Sequence, residues 1–288
     1  MPKFARFRLD PAPPLPPVSP AEPPAVWPAA LQGINSLPDG QKLAIYRTLL
    51  PEWLFHDFGI DPETLTVEGE RVVRFRCPPG SPGVEIDARH RPGAEDPLFY
   101  LLLADTPNHQ VMVLLVVVND PASPRFNIDV TEDGRPTQLG TAGRNIPEEL
   151  RAMAYGLAPG QVRRGLRVMG QSLSRFEAFV ARMGHALYLI EPLAYHNAVN
   201  FERYGFNYLR GRSDMIEIDR AFRPGGALHA KLDGSTPFRR SDVWKTIRGR
   251  SWAIQDGILG RRFGELGVEM YKRVGERAGV NTFPGAVW

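Results

Sequence analysis

Cationic side chains follow a Pro-Gly turn in the second half of the chain. Arg163 and Arg164 come shortly after Pro159-Gly160, at the start of a helix predicted for residues 161–183. The first amides of a helix have no internal acceptor, and the helix dipole places partial positive charge at that end. Such an end binds phosphate or carboxylate groups. We therefore predict an anion site here; the alternative is a solvated helix start.

Acid and base candidates lie on the elements around this turn. Asp129 belongs to the predicted strand before the turn, and Glu191 ends the predicted strand after it. Either carboxylate could take a proton from an amine or anchor its ammonium form, although an exposed strand-end side chain is the alternative. His196 opens the next predicted helix, as an acid or base or as a buried capping residue.

Other kinds of chemistry lack their residues in this sequence. The six histidines are scattered without the His-x-His or His-x-x-x-His spacing of metal sites. A single cysteine, Cys77, cannot form an internal disulfide and is expected in the core. The glycine-rich and nucleophile motifs of NTPases, dinucleotide enzymes and serine hydrolases do not occur. We therefore expect no metal and none of these three activities.

The first half of the chain is typical of a β-meander. Stretches rich in β-branched and aromatic residues are separated by turn signals such as Pro78-Pro79-Gly80. A helix is expected after Asp39, before the strands, with a break or kink at Pro51. The stretch 111–118 is apolar at nearly every position, which favours a central strand. The predicted strands are 64–67, 71–77, 84–88, 98–104, 111–118 and 126–131.

In the second half, predicted helices and strands alternate. The predicted helices are 147–155, 161–183 and 196–204, and the predicted strands are 186–191, 206–209 and 215–218. This order indicates a mixed, mainly antiparallel sheet with helices packed on its faces. The predicted fold class is therefore α/β, in the α+β sense.

The passage from Ala158 to Phe206 resembles the GNAT superfamily of N-acetyltransferases. In that family a loop of the form Gln/Arg-x-x-Gly-x-Gly/Ala begins a helix and cradles the pyrophosphate of acetyl-CoA, and a Tyr-Glu-Lys-Leu-Gly-Phe-like segment closes the next helix. The corresponding passages here are Gln161-Val162-Arg163-Arg164-Gly165 and Phe201-Glu202-Arg203-Tyr204-Gly205-Phe206. Together with the preceding strands, the resemblance covers about residues 97–218.

The resemblance implies transfer of an acetyl or other acyl group from acyl-CoA to an amine of a small molecule or peptide. Acetyl-CoA, or another acyl-CoA, is then the cofactor, and its binding residues are Gly160, Gln161, Val162, Arg163, Arg164, Gly165 and Asn197. Phe201 stands where many members carry a proton-donating tyrosine. The candidate catalytic residues are accordingly Tyr204, Asp129, Glu191 and His196.

Loss of that tyrosine leaves two interpretations of the resemblance open. Direct attack of an amine on a thioester needs mainly alignment and deprotonation, so a missing general acid costs about 10²-fold or more rather than all activity. The alternative is a GNAT-like domain that binds acyl-CoA or another anionic ligand, or acts in assembly, without catalysis. The insertion 132–156 is either a substrate lid or extra packing.

Composition divides the chain into three parts. Residues 1–33 form a proline-rich arm in polyproline II conformation, either loose or laid across the domain by Leu15, Val26 and Trp27. Residues 34–222 form the GNAT-like domain, and residues 223–288 form a helical extension packed on it. The extension interleaves arginines with tryptophans, which favours docking on the core or on a second subunit over binding of nucleic acid, and leaves a homodimer open.

Overall composition is that of an ordinary globular protein. The 288 residues are 43% hydrophobic and 23% charged, and the formal net charge of +3 is small for a protein that binds phosphate backbones. The sequence contains no run of about 18 apolar residues and no signal-peptide core. We therefore expect a cytoplasmic protein without a membrane partner.

Overall fold

The computed structural model of the protein describes residues 13–137 and 143–288. Its strands are β1 (Thr66–Val67), β2 (Glu70–Arg71), β3 (Val73–Arg76), β4 (Gly83–Ala88), β5 (Phe99–Asp105), β6 (Val111–Val118), β7 (Leu187–Ile190), β8 (Asn207–Arg210) and β9 (Glu269–Arg273). Its helices are α1 (Leu31–Asn35), α2 (Asp39–Arg47), α3 (Trp53–Phe58), α4 (Ile146–Tyr155), α5 (Met169–Arg182), α6 (Tyr195–Arg203), α7 (Arg212–Phe222) and α8 (Ile247–Gln255).

The main sheet has seven strands in the order β3-β4-β5-β6-β7-β9-β8. Neighbouring strands are antiparallel except β6 and β7, which run parallel. Strands β1 and β2 form a separate hairpin. The predicted fold class, a mixed and mainly antiparallel sheet flanked by helices, is confirmed.

The principal core lies between one face of the sheet and the helices around it. Phe176 of α5 meets Tyr188 of β7 edge-on with ring centroids 4.7 Å apart, and Tyr188 meets Phe206 at 5.5 Å. The arm joins this core, since Leu15 and Trp27 are buried whereas Val26 is exposed. The arm is therefore laid across the domain, with Leu15 donating its amide to Phe75 O of β3 at 2.7 Å.

A second core ties the insertion to the C-terminal part of the chain. Its buried members are Phe126, Ile128, Ala152, Leu157, Phe238 and Trp252. The Trp252 indole also donates to Leu157 O at 2.8 Å. Ala152 of α4 and Trp252 of α8 belong to the same core, so the insertion contributes packing; its role as a substrate lid stays a prediction.

Three predicted elements differ from the structure. Residues 126–131 form no strand; Val130 makes an isolated bridge with Pro136. Residues 215–218 lie inside α7, where Met215, Ile218 and Phe222 are buried at helical spacing. The helix predicted from residue 161 begins at Met169, because the chain before it makes tertiary hydrogen bonds described below.

The C-terminal segment enters the main sheet. Strand β9 pairs with β7 on one side and with β8 on the other, so the segment predicted as a helical extension also contributes an inner strand. A domain boundary at residue 222, as predicted from the sequence, would place the paired strands β8 and β9 in different domains. In the residues that the structure describes, no helix combines the length and apolar character needed to cross a membrane.

Candidate functional site

The sheet opens between β6 and β7. The two strands share two residue pairs, which end at Val113 and Ile190. Strand β6 continues through Val118, with its last four residues half-buried, whereas the chain leaves β7 after Ile190 to form α6. On this side, residues 114–118 have no strand partner within the described residues. We call this gap the β6–β7 opening.

A β-bulge lies at this opening. Leu102 of β5 pairs with Leu115, and the following residue, Leu103, pairs with Val113. Leu114 is thus an extra residue, placed directly after the last parallel pair. A bulge bends its strand and leaves the extra residue outside the regular ladder. The backbone N–H and C=O groups of Leu114 therefore lie outside the regular hydrogen-bond ladder between β5 and β6.

The N-terminus of α5 lies at the same edge of the sheet, because α5 connects the end of β6 to the start of the parallel strand β7. Val168 precedes the helix without a side-chain cap. Gln171 and Ser172 donate their amides to Val168 O, while the amides of Met169 and Gly170 have no acceptor among the described residues. A Cβ built on Gly170 meets nothing within 4 Å, so this helix end is accessible.

Arg167 stands two residues before α5 in the left-handed backbone region, with φ of 63°. This conformation is uncommon for a residue with a side chain, and the side chain is exposed. The spacing Arg167-x-x-Gly170-x-Ser172 follows the Gln/Arg-x-x-Gly-x-Gly/Ala pattern more closely than the passage from Gln161, except for the serine. The site residues predicted from the sequence include neither Arg167 nor Gly170.

The residues predicted to cradle an anion form an irregular loop fastened to the chain after β6. The Asp120 amide donates to Arg164 O at 2.7 Å, and the Arg164 amide donates to Ser123 Oγ at 3.1 Å. Gly165 passes so close to the end of β6 that an added Cβ would lie 3.1 Å from Val118 O. The loop backbone therefore packs against the end of β6. A residue larger than glycine at position 165 would push the loop away from the strand.

The predicted cradle directly after Pro159 is not a helix N-terminus, because α5 begins at Met169. The crevice beside Gly160 has a volume of about 10 Å³, the space of roughly one water molecule. Arg163, predicted to contact phosphate, pairs with Asp96 at 2.7 Å. The structure thus moves the open helix N-terminus from residue 161 to Met169.

Asp129 and Tyr204 are two of the candidate catalytic residues. Asp129 accepts both terminal nitrogens of Arg125, the closer at 2.8 Å, so its charge is balanced. Tyr204 is the C-cap of α6, roughly 13 Å along the helix axis from the end that follows β7. Tyr204 therefore lies at the opposite end of α6 from the β6–β7 opening.

Glu191 and Asn197 lie at the edge where the strands separate. Glu191 directly follows β7 and is half-buried. Asn197 lies in the first turn of α6 and is also half-buried. The structure therefore brings these two predicted site residues to the same end of the sheet as the N-terminus of α5.

His196 is buried between two helices. Its Nδ1 lies 2.8 Å from Ser251 Oγ of α8, and the residue is 3% exposed. Burial disfavours the imidazolium and lowers the pKa of His196 to about 3. A neutral, enclosed imidazole of this kind holds α6 against α8 and is shielded from a substrate.

A cavity of about 350 Å³ lies at the other end of α6, away from the β6–β7 opening. Val199, Val280 and Phe283 form apolar walls, and Arg203 and Arg277 also line it. Arg277 donates to Arg203 O, and Arg203 donates to Ala286 O at 2.9 Å, so both guanidinium groups hold the backbone around the cavity.

Comparison of the chain with protein-family models, with curated proteins and with solved structures found no match in any of the three.

Proposed function

We infer that the protein transfers an acyl group from acyl-CoA to an amine, on a scaffold of the GNAT type. The β6–β7 opening carries this proposal. In one place the chain combines a parallel strand pair that separates after two residue pairs, a bulge at the separation and an uncapped helix N-terminus. This is the strand, loop and helix order on which the resemblance to the family rests.

The N-terminus of α5 fits the diphosphate of CoA. The amides of Met169 and Gly170 are available donors, and the helix dipole favours negative charge there. Arg167 adds a cation two residues before Met169. Open space at Gly170 admits the ligand. These residues replace the loop after Pro159 as the candidate diphosphate site.

The edge of β6 fits the extended arm of CoA, which carries two amide groups. An unpaired strand edge binds an extended chain through backbone hydrogen bonds. Residues 114–117 supply this edge, before the point where Gly165 covers Val118, and the half-buried apolar side chains of residues 115–117 supply contacts for the methylene groups. The amide at the Leu114 bulge is the backbone donor that we assign to the acyl carbonyl.

Acyl-CoA supplies a thioester, and the reaction forms a C–N bond to the amine and breaks the C–S bond. We assign Glu191 as the base that takes the proton of the attacking amine, since it ends β7 at the opening. Phe201 cannot protonate the leaving thiolate; its ring packs on Phe206 at 5.1 Å. Solvent then supplies that proton, and the transfer is slow by about 10²-fold or more for that reason.

Calorimetric titration with acetyl-CoA tests the binding step. We expect wild-type affinity in the micromolar range. Arg167→Asn removes the charge and keeps a residue that tolerates left-handed backbone, so the Kd should rise by about tenfold, as for a lost charge-assisted hydrogen bond. Gly170→Glu should weaken binding more than the nearly isosteric Gly170→Gln, because only the former places a negative charge beside the diphosphate.

Arg262→Gln serves as the matched control, since Arg262 is also exposed and lies far along the chain from this helix. No heat from the wild type would overturn the proposal. Thiol release across an amine panel then tests chemistry: Glu191→Gln should lower the rate by about 10²-fold or more and keep the acetyl-CoA Kd. If acetyl-CoA binds but no amine causes release of the CoA thiol, the protein binds acyl-CoA without transferring its acyl group.

A further inference from the structure

Two arginines from distant parts of the chain meet at the end of α4. The Arg164 guanidinium carbon lies 4.9 Å from the centre of the Tyr155 ring. Arg248, from α8, donates to the carbonyl of the next residue, Gly156. A Cβ added to Gly156 would lie 2.5 Å from Arg248 Nη1, so the approach of Arg248 depends on this glycine. Contacts with two consecutive residues, Tyr155 and Gly156, therefore hold the two guanidinium groups.

Neither of these arginines pairs with a carboxylate in the part of the chain that the structure describes, whereas many other arginines do. Arg248 is half-buried. Its pKa is lowered first by burial and then by the charge of Arg164. A half-buried cation with a second cation beside it is destabilising unless an anion joins them.

Contacts of the two arginines reach the end of β6 and the helix that follows β7. Arg164 directly precedes Gly165, which touches the end of β6. Arg248 lies over the ring of Trp288, 5.7 Å from its centre. Trp288 in turn lies 6.3 Å from His196, in the first turn of the helix that follows β7. Arg164 thus lies next to the residue that contacts β6, and Arg248 is linked through Trp288 to the first turn of α6.

We propose that Arg164 and Arg248 form an oxyanion clamp, separate from the N-terminus of α5, that binds the phosphate or carboxylate group of the acceptor. The assignment to the acceptor rests on the proposed function, whereas the clamp itself rests on the contacts just described. The rings of Tyr155 and Trp288 lie beside the two guanidinium groups, and the N–H groups other than the one that Arg248 donates to Gly156 O are left for an oxyanion. Arginine is suited to such bidentate binding.

The clamp defines a class of acceptor. An amine that reacts at the β6–β7 opening while its anionic group is held by the clamp must carry both groups within one small molecule or at one chain end. Amino acids and phosphorylated amines meet this requirement. Neutral amines and polyamines do not, because they offer nothing to the two cations.

Titration of the full-length protein with inorganic phosphate tests the clamp directly, by calorimetry in a buffer without other oxyanions. We expect binding that is weakened at least about tenfold by Arg164→Gln and by Arg248→Gln, and that Arg262→Gln leaves within about twofold. Arg164 is exposed, so its variant should fold; Arg248→Lys, which keeps the charge, should lose less than Arg248→Gln.

Repeating the phosphate titration with saturating CoA identifies which ligand the clamp serves. Phosphate binding that persists supports a site for the acceptor. Phosphate binding that CoA abolishes would assign the two arginines to the cofactor and overturn the proposal, as would absence of phosphate binding by the wild type. A result in which acetyl-CoA gives no heat but phosphate binds through both arginines would overturn the proposed function and leave the clamp in place. Failure of the proposed function is therefore distinguishable from failure of the clamp.

Discussion

The arginines of the second half of the chain differ in what faces them. Arg250 is 1% exposed and lies 2.8 Å from Asp219, with its guanidinium carbon 3.4 Å from the centre of the Phe283 ring. A buried cation needs such a partner, since desolvation of an unpaired charge costs several kcal/mol. Arg250 is therefore used inside the fold and is not available to bind nucleic acid.

The burial of His196 predicts a specific dependence of stability on pH. Its pKa is about 3 in the folded protein and about 6.5 in the unfolded chain. The unfolded state therefore takes up a proton below pH 6.5 that the folded state does not. The stabilising contribution is complete above pH 6.5 and is lost as pH falls toward 3, at about 1.4 kcal/mol per pH unit.

Urea unfolding at pH 7, 6 and 5 measures this effect. His196→Asn keeps a polar group near Ser251 and removes the titration, so its free energy of unfolding should fall less between pH 7 and 5 than that of the wild type, by about 2 kcal/mol. His56→Asn is the matched control, because His56 is exposed. Equal pH slopes for the wild type and His196→Asn would contradict a buried neutral imidazole.

Among the elements, a strand with an uninterrupted apolar pattern can be predicted from the sequence. The predicted strand 111–118 coincides with β6, whose eight apolar residues fill the middle of the sheet. Strand β9 escapes prediction because it carries charges: Lys272 is 4% exposed and pairs with Glu177 of α5 at 2.6 Å. A buried charge in an inner strand depends on a partner that the local pattern does not show.

Helix α8 offers a test of local capping. Thr246 is its N-cap, and the side-chain oxygen accepts the Gly249 amide at 2.9 Å. Thr246→Ala leaves that amide without its acceptor and should lower the free energy of unfolding by about 1 kcal/mol. Thr246→Ser keeps the oxygen and should lose clearly less. Urea denaturation compares the three proteins, and an alanine variant as stable as the serine variant would argue against the cap.

At the scale of the whole molecule, the sequence predicts which elements exist better than it predicts which residues meet. The fold class and the positions of Glu191 and Asn197 after β7 follow from element order. The start of α5 does not, because hydrogen bonds from residues 120–123 hold the preceding loop out of the helix. The meeting of Arg164 with Arg248 is likewise a result of tertiary packing between segments far apart in the chain.

The path of the C-terminal segment predicts that residues 223–288 are needed for folding of the core. Strand β8 pairs with β9 among the described strands, so a chain ended after Phe222 leaves β8 without its partner and exposes the edge of β7. It also removes Phe238 and Trp252 from the second core.

Because a sheet that loses an inner strand loses pairing and packing together, we expect this shortened chain to lack a cooperative thermal transition and native near-UV circular dichroism. Adding residues 223–288 as a separate peptide should restore both signals at least in part, whereas cooperative unfolding of the shortened chain alone would mean that residues 34–222 form an independent domain.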